Sequence, residues 1–472
     1  MGTKVDTYFE KRREQDVEQL AELLRIPSVS GASEHRQDVK RTADWLAQKL
    51  REAGVPRVDL MSTPGYPIVF GEWLVDKGLP TALIYAHYDV QPPDPIDEWV
   101  TPPFEPDIRD GRIFARGATD DKGLLFTCLK AIEAFYRLNS QPPINIKLIF
   151  EGEEEIGSPN LPGFMENHRE LLSADIALKA QGGMWDYRTP SLTTRTRGLV
   201  ALQIDVRGPN HDLHSGMYGG GIQNPIHALT SILSSMHDTQ GRVTVEGFYR
   251  NVHGIAAGER EAIEAIPIDE TEYKRELEVA DLFGEAGYAT WERLWIRPTL
   301  EINGIWGGFQ GEGPKTVLPS LAHAKITCRL VPNQDAEEIA TLIEDHVGKF
   351  SPPGVVVSVQ RFPGSAKPYV MPMDHPALAS ARDVLRKVYG RAPLVTPVGG
   401  TLPFAGLVTE ILGIYLVYFG FGGRGNNVHG PNESFPLEAF DKGVRVYYAF
   451  MEELSKIPKD SLTGLEIPIR SK

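Results

Sequence analysis

The sequence predicts an α/β fold, a main domain with a mainly parallel mixed sheet flanked by helices, plus an inserted α+β domain. Three observations lead there. Thr81-Ala82-Leu83-Ile84-Tyr85-Ala86 and Ile146-Lys147-Leu148-Ile149-Phe150 are near-continuous apolar runs of strand length, as expected of strands buried on both faces. Helical patterns alternate with strand patterns through the first part of the chain, which favours a parallel sheet. The texture changes near residue 198, where Leu199 to Val206 alternates as a half-buried strand, and the first texture returns near 395. The expected divisions are 1–196, 197–395 and 396–472, the middle segment being inserted into the first domain.

The elements follow in order. Residues 6–25 form an amphipathic helix with Phe9, Val17, Leu20, Leu23 and Leu24 mostly on one face, ended by Pro27. A second helix covers 38–53 and stops at Gly54. Short strands at 57–62 and 67–74 precede the buried strand that ends at His87. A Pro-rich loop, a helix over 123–138, the strand 145–150, a helix near 163–172 and a strand at 175–180 complete the first part. In the inserted segment, a helix at 224–237, strands at 323–331 and 354–361 and a helix at 335–349 are expected. The stretch 238–322 is long, polar and Gly-rich, with a charged helix near 270–282. A helix at 436–455 closes the chain.

Bulk properties narrow the function classes. A chain of 472 residues exceeds one simple core. The net charge of −14 argues against nucleic acid and anionic membrane as partners. Cys128 and Cys328 are far apart and form neither a disulfide framework nor a CxxC zinc motif. The start MGTKVDTYFEKRREQD has no apolar core of a secretory signal, and Met1-Gly2 fails as a myristoylation motif because position 6 is Asp6. The apolar run Leu412 to Phe421 is too short to span a bilayer. A cytoplasmic location is expected.

The chemistry centres on Glu151-Gly152-Glu153-Glu154-Glu155, four carboxylates at the mouth of a buried strand. A bound cation or a proton to be moved would explain them. In such sheets the site lies at the carboxyl ends of the strands, and His87, the Glu cluster and the segment after Ala180 all lie there. His87 and Asp89 can share a face, so that Asp89 fixes the imidazole and leaves its other nitrogen for a metal. Alone, the pair also suits an ordinary loop. Asp120-Asp121-Lys122 opens a helix, where acidic residues also serve as caps. His429, in a turn-rich loop, is by itself a surface histidine. A phosphate loop at Gly308 to Thr316 fails because Pro314 separates Gly313 from Lys315.

Together these pieces form an ordered set: His87-x-Asp89, Gly117-x-Thr119-Asp120-Asp121-Lys122-Gly123, Glu154-Glu155-x-Gly157-Ser158, His214-Ser215-Gly216 and Asn427-x-His429-x-Pro431-Asn432-Glu433. The set resembles the dinuclear zinc peptidases of the carnosine dipeptidase, carboxypeptidase G and aminoacylase type (clan MH), and most of all the dipeptidase branch. Glu301 to Gly308, Lys315 to Pro319 and Arg329 to Asn333 resemble that branch's lid-domain motifs.

The resemblance implies a metal-dependent hydrolase of an amide bond in a dipeptide or small N-acyl amino acid, with a metal-bound hydroxide as nucleophile. His87 would ligate one metal, Asp120 would bridge both, and Glu155 with His429 would complete the other. Two divalent ions roughly 3.5–4 Å apart can hold a hydroxide and polarise a carbonyl. Zinc is expected, with Mn or Co as substitutes. Glu154 would be the general base and acid, Asp89 would orient His87, and His214 would stabilise the oxyanion, often across a homodimer. Arg329 with Thr316 would hold the substrate's carboxylate, and Thr401, in Gly399-Gly400-Thr401-Leu402-Pro403, would line the same pocket. Glu151 and Glu153 are left as frame and surface.

One position departs from the pattern. Gln181 stands where the resemblance expects the second terminal carboxylate ligand, with Trp185 and Arg197-Gly198 keeping the register. A neutral amide oxygen binds zinc less well than a carboxylate. Three arrangements follow: two ions with Gln181 as a weak ligand, one ion at Asp120, Glu155 and His429, or a specialised or inactive relative. Arg195, on the same rim, would offer a positive charge to a more acidic substrate. Rival readings are a deacylase or amidohydrolase of one metabolite and a binding protein without turnover. Glu154 and His214 speak against the last.

Overall fold

The computed structural model describes residues 3–255, 257–423 and 425–463. The myristoylation reading of Met1-Gly2 lies outside them. Among the described residues no helix is long and apolar enough to cross a membrane. The chain forms two compact units. One takes the described residues of Met1–Thr194, Met371–Thr396 and Leu407–Lys472, the other Arg195–Val370 and Pro397–Gly406.

The first unit is built on a six-stranded sheet in the order Arg57–Met61, Ile68–Trp73, Asn145–Glu151, Thr81–His87, Ile176–Lys179, Leu416–Tyr418. The last four run parallel to one another. Arg57–Met61 and Ile68–Trp73 make an antiparallel edge, so the sheet is mixed and mostly parallel. Every residue of Thr81–His87 and Asn145–Glu151 is buried, which explains their near-continuous apolar texture. Their register sets His87 beside Glu151 at the carboxyl edge, and Tyr85 beside Lys179 on the other neighbouring strand.

Helices cover this sheet by ordinary amphipathic logic. Arg36–Glu52 buries Val39, Ala43, Leu46, Ala47 and Leu50, a three-and-four spacing along one face. The helix Lys122–Asn139 is buried through Phe135 and packs against Leu437–Leu454. Phe135 stacks on Tyr448 with centroids 4.0 Å apart.

The second unit has a four-stranded antiparallel sheet in the order Thr299–Gly307, Leu321–Leu330, Gly198–Arg207, Val356–Arg361. Gly198–Arg207 alternates between buried and half-buried positions until its exposed last residue, Arg207. Its inward residues Leu202, Ile204 and Val206 meet Leu229 and Ile232 of the helix Pro225–Ser234 and Ile339 and Ile343 of Ala336–Phe350.

Several sequence expectations need correction. Thr299–Gly307 is a strand inside the stretch read as polar and Gly-rich. It is mostly exposed on both faces and its register shifts between Ile302 and Gly304, so no alternation marks it. Helical texture of the first unit resumes with Pro376–Tyr389, before residue 395. The charged helix is shorter than expected, Glu270–Glu276.

Gly443 marks the closest approach of the helix Leu437–Leu454 to its neighbours. A Cβ there would fall 2.6 Å from Thr127 Cγ2 and 3.0 Å from a Phe421 ring carbon. Alanine would gain about 1 kcal/mol in helix propensity, but overpacking against a stiff β-branched side chain costs about 1–3 kcal/mol. Gly443→Ala is therefore expected to lower the melting temperature. An unchanged or higher Tm in thermal unfolding would show that the helices separate freely.

Candidate metal centre

Three strand ends and two loops of the first unit bring the ionisable residues together. His87 ends its strand and is fully buried. Its Nδ1 lies 3.2 Å from the Asp89 carbonyl and 3.3 Å from Asp89 Oδ1. Its Nε2 faces Asp120 Oδ1 at 3.1 Å. Asp120 offers its other oxygen, Oδ2, to His429 Nε2, also at 3.1 Å. His429 Nε2 in turn lies 3.3 Å from Glu155 Oε2. Asp120 thus stands between two histidines, one for each carboxylate oxygen.

Asp89 does more than face His87. Its two carboxylate oxygens accept the backbone N–H groups of Glu154 and Glu155, at 3.2 and 3.1 Å. That fixes the turn Glu154–Ile156 from which both glutamates project. Gln91 Nε2 donates to Glu155 Oε2 at 2.9 Å. Glu151 accepts from the hydroxyls of Tyr85 and Ser158, and burial pushes its carboxyl up to about 7. Glu153, expected on the surface, is buried, and its Oε2 accepts from Asn160 Nδ2 at 2.8 Å.

The loop that presents Asp120 hangs on a residue to which the sequence assigned no role of its own. The Glu433 carboxylate is fully buried and accepts from Arg116 Nη1 at 2.7 Å and from the amides of Gly117, Thr119 and Asp120 at 2.8–2.9 Å. Arg116 also donates to the His429 carbonyl at 3.1 Å, tying the two loops together. The peptide bond Asp120–Asp121 is cis. Gly123 has no space for a side chain, because a Cβ would fall 2.0 Å from the Ala118 carbonyl oxygen. The glycine lets the helix beginning at Lys122 start directly beneath the loop.

Gln181 reaches the same centre. Its Nε2 donates to Asp120 Oδ1 at 3.3 Å and to Glu154 Oε1 at 3.2 Å. Lys179, almost fully buried, has its Nζ 3.9 Å from the same Glu154 oxygen. Sequence reasoning gave Lys179 no role; its only signal was a lysine in an otherwise apolar strand.

The charges respond to this crowding. Burial alone would lower the His87 imidazole, but Glu154, Asp120, Asp89 and Asp121 outweigh it and hold it well above its ordinary value. Hydrogen bonds to Asp120 and Glu155 raise His429 to about 10. Asp120 is held far below the carboxylate range, since its bonds to both histidines outweigh burial. Burial raises Asp121 well above it. Burial also lowers the Lys179 amine, against the pull of Glu154, Asp121, Glu151 and Asp120.

The donor set fits a divalent cation. One ligand atom each of His87, Asp120 and Glu155 lies within 4.8 Å of the others. Ligands bonded at about 2.0–2.1 Å in a tetrahedron sit roughly 3.3 Å apart, close to the 3.1 and 3.3 Å that separate His429 Nε2 from Asp120 Oδ2 and Glu155 Oε2. Glu155 Oε1 and Gln181 Oε1 are both buried with no hydrogen-bond partner, acceptors that a cation within reach would satisfy.

Other predicted residues lie in the second unit. Arg329 Nη1 donates to Thr401 Oγ1 at 2.7 Å. Arg197 is buried nearby, its guanidinium lowered to about 10 by burial and by the Arg329 charge. Thr316 is exposed, and its carbonyl accepts from the Ser215 amide at 3.0 Å, so it belongs beside His214. His214 Nδ1 accepts from the Gly216 amide at 3.1 Å, which leaves Nε2 as the N–H donor of a neutral ring. Arg195, expected to offer a free charge, is paired with Glu259.

Replacing Glu433 with Gln leaves Arg116 buried without its counter-charge, a loss of about 3–5 kcal/mol. It also loosens the loop under Asp120, so zinc affinity is expected to fall about 10–100-fold. Thermal unfolding and zinc titration against a competing chelator would check both. Wild-type values in Glu433→Gln would contradict this role.

Comparison with known proteins agrees with the geometry. The model of peptidase family M20/M25/M40 matches residues 83–453. The chain is 30% identical over 470 residues to the Cys-Gly metallodipeptidase dug1 of Schizosaccharomyces pombe, covering 96% of this chain and 98% of that protein. It is 29% identical to the human Beta-Ala-His dipeptidase, covering 96% and 93%. Among solved structures, the M20 family metallo-carboxypeptidase Sso-CP2 from Sulfolobus solfataricus superposes with a TM-score of 0.83 at 34% identity, covering 94% of this chain and 99% of that one. The order of motifs, the mixed sheet and the cluster at its carboxyl edge have one common source: the chain belongs to peptidase family M20/M25/M40.

Proposed function

We propose that this M20 peptidase hydrolyses the peptide bond of a dipeptide, or the amide bond of a small N-acyl amino acid. The observation that carries the reading is Asp120, whose two oxygens each face a histidine at 3.1 Å, with Glu154 in the same hydrogen-bonded cluster. Asp120, Glu155 and His429 would hold a divalent cation, zinc being suited to their nitrogen and oxygen donors. When bound, the cation supplies Lewis acidity, polarising the scissile carbonyl and making water acidic enough to lose a proton near neutral pH.

The chain's own residues would do the rest. Glu154 takes the proton from the attacking water and returns it to the leaving amine. Its backbone N–H is held by Asp89, and its carboxylate Oε1 accepts from Gln181 Nε2. His214 Nε2–H suits donation to the carbonyl oxygen as negative charge develops there. Arg329, held by Thr401 and close enough to Arg197 to depress its pKa, suits the free carboxylate of a substrate. Thr316 would contribute to the same recognition. A homodimer in which one copy lends His214 to the other, and a cytoplasmic location, complete the reading.

Chelation is expected to abolish hydrolysis, and Zn²⁺ or Mn²⁺ to restore it. Glu154→Gln should lose about 10²–10⁴-fold in kcat with its fold intact. Substrates amidated at the C-terminus should show a raised KM, and Arg329→Ala should raise KM for the free acids. Full turnover by Glu154→Gln, or in excess chelator, would refute the assignment.

A further inference from the structure

Lys179 is a buried cation beside the centre that the proposed chemistry leaves unused. It ends the strand Ile176–Lys179, beside Tyr85 of the neighbouring parallel strand, and is 1% exposed. Its Nζ sits 5.0 Å from the centroid of the Tyr85 ring, a contact that favours the ammonium form. Its nearest carboxylate oxygen is Glu154 Oε1 at 3.9 Å. The same oxygen accepts from Gln181 Nε2, which also donates to Asp120 Oδ1. Two residues of one strand end therefore bring an ammonium and an amide N–H to the oxygens on the His87 side of Asp120.

The two sides of Asp120 are consequently unlike. On the Oδ2 side stand His429 and Glu155, whose Oε1 is buried without a partner. That side offers acceptors. On the Oδ1 side stand His87, the Gln181 amide, whose Nε2 donates while its buried Oε1 has no partner, and, through Glu154, the Lys179 ammonium. Each side has a histidine and an amide donor, so what sets this side apart is the positive charge: a cation there would meet Lys179 in a medium where like charges repel strongly. Rotating the Gln181 amide would set its oxygen against Asp120 and Glu154, so the surrounding carboxylates favour the donor orientation.

We infer that Lys179 replaces one of two dications: its ammonium, with the Gln181 amide, occupies the His87 side electrostatically, and the centre holds a single metal ion at Asp120, Glu155 and His429. This rests on the metallopeptidase reading above. Charge balance supports it. Asp120, Glu155, Glu154 and Asp89 surround the centre in either case. A carboxylate at 181 with two dications leaves the same net charge as Gln181 with Lys179 and one dication.

The test is metal stoichiometry and affinity on the full chain, without any assay of turnover. Elemental analysis after zinc incubation and dialysis should find about one ion per chain in the wild type. In Lys179→Met, and in the polar variant Lys179→Gln should Met impair folding, zinc titration should reveal a second ion bound at least about tenfold tighter than any second ion of the wild type. Lys179→Met combined with Gln181→Asp should hold about two. Two ions in the wild type, or an unchanged second-ion affinity in both neutral variants, would overturn the role of Lys179 alone. No ion in the wild type would refute the metallopeptidase reading, and this inference with it.

Discussion

The centre depends on one buried carboxylate, Glu433, whose own partners are an arginine and the backbone. Glu433 collects an arginine and three backbone amides, and through them it determines where Asp120 points. A buried carboxylate with that many donors is stable only if all of them are in place. The loop 117–120 and the loop bearing His429 are therefore coupled, since Arg116 bonds to both Glu433 and the His429 carbonyl. The position of the shared aspartate and that of the exposed histidine follow from one network.

A second frame supports the glutamates. Asp89 faces a histidine, and both of its oxygens also hold backbone N–H groups of Glu154 and Glu155. One buried side chain thereby fixes a histidine from one strand and two carboxylates from the end of another. The parallel register that sets His87 beside Glu151 makes this possible, because it brings the two strand ends to the same height.

The outline of all this was legible in the sequence for local reasons. Near-continuous apolar runs mark strands buried on both faces, and residues just past their ends fall at the sheet's carboxyl edge, which is how His87 and the Glu cluster could be paired without a structure. What could not be read was long-range. Glu433 meets its partners across more than three hundred residues of chain, so the motif that contains it gave no sign of what it binds. Glu153 looked like surface because burial of a carboxylate depends on a partner, Asn160, that periodicity does not reveal. Lys179 sat within a strand pattern whose interruption could mean an edge position or a buried ammonium, and only the parallel pairing with Tyr85 decides between them. The strand Thr299–Gly307 was hidden because exposure on both faces erases the alternation that identifies strands.

The account's central claim is that Asp120 Oδ2, Glu155 and His429 form the cation site of this centre. Anomalous diffraction at the zinc edge from crystals of the full chain grown with zinc tests it most directly. The account predicts an anomalous peak among those three side chains. No peak there, or a peak found only beside His87, would contradict it.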